Sequence, residues 1–123
     1  MEIIKTSNAP AAVGPYSQAI KLDRFIFGSG QLPIDPRTGL MKTGISDQTK
    51  QILNNISAIL DASGSNKNNV VKTTIFLSDM NNFSIVNEIY AGFFGDHRPA
   101  RSTIEVSKLP KDSLIEIEFI AHI

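Results

Sequence analysis

Two stretches of the chain repeat apolar residues at helical spacing. In the first, Ile52, Leu53, Ile56, Ile59 and Leu60 recur as i, i+1, i+4, i+7, i+8, which makes one buried stripe. Ser46 is placed to cap its start, Asp47 suits the positive end of the helix dipole, and Gly64 is placed to stop it. In the second, Phe83, Val86, Ile89, Tyr90, Phe93 and Phe94 share a face, with Asn81 or Asn82 as the cap and Gly95 as the stop. Strand signals surround both. Phe25–Phe27 is short and apolar and runs into Gly28-Ser29-Gly30, read here as a loop turn. Residues 70–77 are rich in β-branched side chains. Residues 102–106 form a further candidate. Residues 114–123 alternate, with Ile115, Ile117, Phe119, Ala121 and Ile123 on one face. Residues 16–21 fit another strand, and Ile3-Ile4 a short edge. The predicted order is β-β-α-β-α-β-β, an α+β fold with two helices on one face of a mixed β-sheet.

Residues 70–77 raise a packing question. Val71, Ile75 and Leu77 would share one face, and Val70 and Phe76 the other. A strand apolar on both faces calls for burial on both. Two helices cover one face only, so the expectation is that a second copy of the chain covers the other. The alternative is a monomer with a half-exposed sheet.

Composition narrows the function classes. The 123 residues (13.4 kDa) suit a single domain spanning 1–123. Twelve Lys and Arg balance twelve Asp and Glu, so the basic excess expected of a nucleic-acid binder is missing. Without cysteine there is no disulfide, thiolate nucleophile or Cys-ligated metal. His97 and His122 are far apart and have no metal-ligand spacing, so no metal is expected. No apolar run approaches the ~20 residues of a membrane helix, and the N-terminus lacks signal-peptide character. The expected location is the cytoplasm.

Few motifs carry chemistry. There is no phosphate-cradling glycine loop and no nucleophile elbow. Arg101 follows Pro99 and opens a strand. A guanidinium on so rigid a base matches a carboxylate or phosphate with two parallel hydrogen bonds, or it forms an ordinary surface ion pair. Glu116 and Glu118 project from the face opposite the isoleucines, about 6.5–7 Å apart. They are either a polar sheet face or a source of acid–base chemistry. If that face is buried in an oligomer, each needs a partner or a site. Tyr16, after the Gly14-Pro15 turn, fits either core or a site wall. Asn87 flanks the second helical stripe, beside Phe83, Tyr90 and Ala91, as a solvated position or a pocket edge.

Several separated segments together resemble the Rid family, the reactive intermediate deaminases also called the YjgF family. They are residues 8–18 (NAPAAVGPYSQ), 29–33 (SGQLP), 99–102 (PARS), 109–112 (LPKD) and 115–118 (IEIE). The likeness runs from about Asn8 to Ala121. It is strongest to the enamine/imine deaminase subgroup, because both Arg101 and Glu116 are present. The resemblance implies a chorismate-mutase-like fold and a homotrimer, with the sheets forming an inner β-barrel, helices outside, and clefts between subunits. It implies hydrolysis of 2-imino acids (2-iminobutyrate, 2-iminopropanoate) to 2-keto acids and ammonia, without a cofactor. Such imines arise from enamines released by pyridoxal-phosphate-dependent dehydratases. In this likeness Arg101 holds the substrate carboxylate and Glu116 orients or activates water. Tyr16, Ser29 and Asn87 line the cleft, and Gly30 supplies backbone at the same wall. Thr103 stands where many members have cysteine, and there the backbone N–H is the contributing group.

Two other readings compete. A non-catalytic trimer could bind a keto or amino acid in the same cleft and regulate a partner. Arg101 would serve it equally, but carboxylate binding gains nothing from Glu116. An RNA-cleaving or translation-inhibiting protein is the third reading. Zero net charge and the lack of a basic strip interleaved with aromatics speak against it.

Overall fold

A computed structural model describes residues 1–123. Its strands are β1 (Glu2–Ile4), β2 (Ala19–Leu22), β3 (Phe25–Gln31), β4 (Val70–Leu77), β5 (Ala100–Glu105) and β6 (Ile115–His122). The helices are α1 (Ile45–Ala62) and α2 (Phe83–Phe94). The six strands make one sheet in the order β1-β2-β3-β6-β4-β5. Only β4 and β5 are parallel, and α2 is the crossover between them. Every other pairing is antiparallel, which makes the sheet mixed.

The core lies between one sheet face and the two helices. Ile52, Ile56, Ile59 and Leu60 of α1 are fully buried, as are Ile75 and Leu77 of β4 and Ile115 and Ile117 of β6. Val86, Tyr90 and Phe94 carry α2 into the same cluster. Burial of each Leu, Ile or Phe contributes on the order of 1.5–3 kcal/mol, so this face sets the fold. No helix is long and apolar enough to cross a membrane.

Three local expectations change. Ser46 does not cap α1. It falls inside the first turn, and Gly44 is the cap at φ 81°, a left-handed value that suits glycine. Neither Asn81 nor Asn82 caps α2 with its side chain. Asp79 instead accepts from the Asn81 N–H and starts a short 3₁₀ turn that feeds the helix. Gly28-Ser29-Gly30 is not a loop but the second half of β3, with a register shift between Gly28 and Gln31. A Cβ at Gly28 would overlap the Phe119 ring, so glycine here lets a core phenylalanine lie against β3.

The faces of β4 also differ from strict alternation. A bulge between Val70 and Lys72 turns Val70 into the core at 1% exposed and leaves Val71 43% exposed. The His97 Nε2–H donates to the Val70 carbonyl over 2.7 Å, so this histidine braces the bulge rather than lying free in a loop. On the outer sheet face, Phe27 and Ile104 are exposed, and Phe76 and Ile120 are half-buried. The outer face is therefore apolar through several strands, not through β4 alone.

Candidate functional site

The seven residues singled out above divide into two groups. The first gathers around Glu116. Alternation along β6 puts Ile115 and Ile117 in the core and Glu116 on the outer face, beside its register partner Phe76. A Cβ at Gly30 would overlap the Glu116 carboxylate, so only glycine lets the acid lie flat against β3. Burial pushes the Glu116 carboxyl above the ordinary carboxylate value, and Glu118 on the same face adds to the rise.

Ser29 ties this acid to the Tyr16 segment. Its hydroxyl donates to the Ser17 carbonyl over 2.6 Å, and its N–H donates to the Gln18 carbonyl over 3.0 Å. Tyr16 itself is 54% exposed beside a groove of about 560 Å³ that also takes in Ile3, Lys5, Ala12 and Pro36. Gln18 anchors the whole segment. It is 3% exposed; its Oε1 accepts from the Thr6 N–H, and its Nε2 donates to the Thr6 and Pro10 carbonyls at 3.0 and 2.8 Å. Glu116 thus lies on Gly30, and the adjacent Ser29 is hydrogen-bonded to the segment that carries Tyr16.

The second group gathers around Arg101. In β5 it is the register partner of Thr73 in β4, which places it on the helix side of the sheet. Its Nη1 donates to Asn87 Oδ1 over 2.8 Å. Its guanidinium carbon lies 5.0 Å from the ring centre of Tyr90 and 5.5 Å from that of Phe83. A cleft of about 310 Å³ opens beside it, lined by Asn87, Tyr90, Phe94, His97 and Pro99. Thr103 is half-buried on the same strand, and its Oγ1 has no hydrogen-bond partner. No salt bridge occupies Arg101. The free guanidinium N–H groups at this corner match the geometry of a planar carboxylate or phosphate edge.

A single chain does not bring the two groups together. Glu116 faces one side of the sheet and Arg101 the other, and β4 lies between their strands. The first group presents a half-buried carboxylate, and the second a guanidinium with no acidic partner. No three His, Asp or Glu side chains gather as a metal-binding cluster.

The sequence reading did not assign Phe83, Tyr90, Thr73 or Gln18 to the site. Both aromatics belong to the apolar stripe of α2. Their spacing with Asn87, i, i+4, i+7, puts all three on one helix face, and that signal was available.

Known proteins resemble the chain along its length. The family model described as Endoribonuclease L-PSP matches residues 6–123. A RutC family protein of Pyrococcus horikoshii is 57% identical, covering 98% of this chain and 97% of that one. The 2-iminobutanoate/2-iminopropanoate deaminase of Salmonella typhimurium is 49% identical, covering 96% and 94%. The crystal structure of E. coli TdcF with bound serine superposes with a TM-score of 0.97 at 41% identity, covering 100% of this chain and 99% of that one.

Proposed function

This chain belongs to the Endoribonuclease L-PSP family, the YjgF/Rid family, and from that membership we propose that it hydrolyses 2-iminobutanoate and 2-iminopropanoate to 2-keto acids and ammonia. The Salmonella relative bears the name of that activity at 49% identity. The observation that carries the reading is the Glu116–Gly30 contact. It holds a carboxylate half-buried, with its pKa raised, on a wall where a binding protein for anions would gain nothing from negative charge.

The chemistry needs little. An imine carbon is already electrophilic, more so when its nitrogen is protonated. Arg101 receives the substrate carboxylate through its guanidinium fork. Glu116 takes a proton from water as the water oxygen bonds to the imine carbon. That proton then passes to the nitrogen of the tetrahedral carbinolamine formed from the protonated imine, and as the C–N bond breaks the carbinolamine hydroxyl gives its proton to Glu116, releasing ammonia and the 2-keto acid. Positioning and general-base help of this kind contribute roughly 10²–10⁴-fold. A raised carboxyl pKa brings Glu116 closer to neutrality, where proton transfer in both directions is efficient.

Because Arg101 and Glu116 lie on opposite faces of one sheet, a complete site takes Arg101 from one copy and Glu116 from another. A homotrimer with clefts between subunits provides that arrangement. The uncovered apolar side chains Phe27 and Ile104 on the outer face support such an assembly.

The test is a coupled assay. Threonine dehydratase generates 2-iminobutanoate in the presence of semicarbazide, which traps it. Wild-type protein suppresses semicarbazone formation, and Arg101→Ala and Glu116→Ala do not. A wild type without effect overturns the deaminase reading and leaves the cleft as a ligand-binding site. Cleavage of an added RNA at two salt concentrations tests the activity the family description names.

A further inference from the structure

The geometry points to Tyr90 and Phe83 as positioning residues that aim the Arg101 guanidinium at the substrate carboxylate. The inference rests on the carboxylate-binding part of the reading above. Arg101 stands on β5, an edge strand, and is exposed. A free arginine there would sample many rotamers and lose that freedom on binding. Here it is held from three sides by one face of α2. Asn87 Oδ1 takes one N–H at 2.8 Å, and the rings of Phe83 and Tyr90 lie 5.5 and 5.0 Å from the guanidinium carbon. Both separations are within cation–π range.

The Tyr90 ring is itself fixed. Its hydroxyl is 2.6 Å from Thr73 Oγ1 in the core, and its ring packs at 4.7 Å on Phe94. Thr73 is also the strand partner of Arg101. Thr73, Tyr90 and Arg101 therefore close a loop of contacts that joins β4, α2 and β5. Asn87 uses one of the five guanidinium N–H groups, and no carboxylate of the chain neutralises the others. Two aromatic faces hold the cation without consuming its donors, which an acidic partner would do.

The experiment measures binding of 2-oxobutyrate by calorimetry and imine turnover by the semicarbazide assay, on full-length protein. Tyr90→Leu and Phe83→Leu remove one ring each, and Tyr90→Phe restores a ring without its hydroxyl. Each leucine variant is expected to weaken 2-oxobutyrate binding and raise KM by about three- to tenfold while kcat stays close to wild type. Tyr90→Phe recovers the binding even though it loses the Thr73 bond and some thermal stability. If the leucine variants lower Tm but leave binding and KM unchanged, the rings only fill space and the inference is overturned. If Tyr90→Leu does not fold, Phe83→Leu decides by the same criteria. If wild type binds 2-oxobutyrate and the variants weaken it, but no imine is turned over, the deaminase reading falls and the positioning role stands. If wild type binds no 2-oxobutyrate, the positioning role falls.

Discussion

The carboxylate of Glu116 lies against the backbone of Gly30 in space that any Cβ would occupy. This glycine is needed for close approach, not for an unusual backbone angle, since its φ is outside the left-handed range. Gly30→Ala is expected to push Glu116 off the wall. The variant should fold, because both groups face outward, but its kcat should fall at least about tenfold through misplacement of the reacting groups. Circular dichroism and turnover, measured together, check this.

Glu116→Gln should reduce kcat by about 10²–10⁴. It should also change stability in a pH-dependent way. The folded Glu116 pKa is raised, so the native state holds its proton more tightly than the unfolded chain does. Its stabilising contribution is present below the ordinary carboxylate value and is lost as pH rises through the raised one. Thermal melts from pH 4 to 8 should show wild type losing stability relative to Glu116→Gln as pH rises.

Gln18→Ala should loosen the segment that carries Tyr16. The buried amide satisfies the backbone of Thr6 and Pro10, so its loss leaves buried polar groups unpaired at about 1–3 kcal/mol each. Hydrogen exchange should rise at residues 6–18 and remain slow in α1. Uniform exchange across the chain would show that the amide supports the whole fold.

Asp35 gives the opposite pH signature from Glu116. The Arg37 side chain and backbone N–H, with Lys42 nearby, hold its carboxyl down at about 2. Its contribution is present above the ordinary value of 3.8 and is lost as pH falls toward about 2. The Tm gap between wild type and Asp35→Asn should therefore be open at pH 7 and close on acidification through that window.

The period of the apolar residues was enough to place α1, α2 and the core face of β6, because burial of a stripe or an alternating face dominates local preference. It failed where one residue changes the count. The Val70 bulge exchanges which valine is buried, and a bulge depends on the pairing partner, Ala121, rather than on the strand's own composition. Ser46 suits a cap by type, but Gly44 takes the left-handed angle two residues earlier. Gly28-Ser29-Gly30 resembled a turn because the demands of Phe119 and Glu116 on those two glycines come from β6, more than eighty residues on.

The seven residues matched to the Rid family were identified from the sequence, but their grouping was not. Phe83, Asn87 and Tyr90 share a helix face by spacing alone, and Glu116 faces away from the isoleucines by alternation alone. That Arg101 meets the helix face, and that β4 separates it from Glu116 on the far side of the sheet, follows from strand order and register. Local periodicity determines which way a side chain points. Only the long-range pairing of strands decides what it points at.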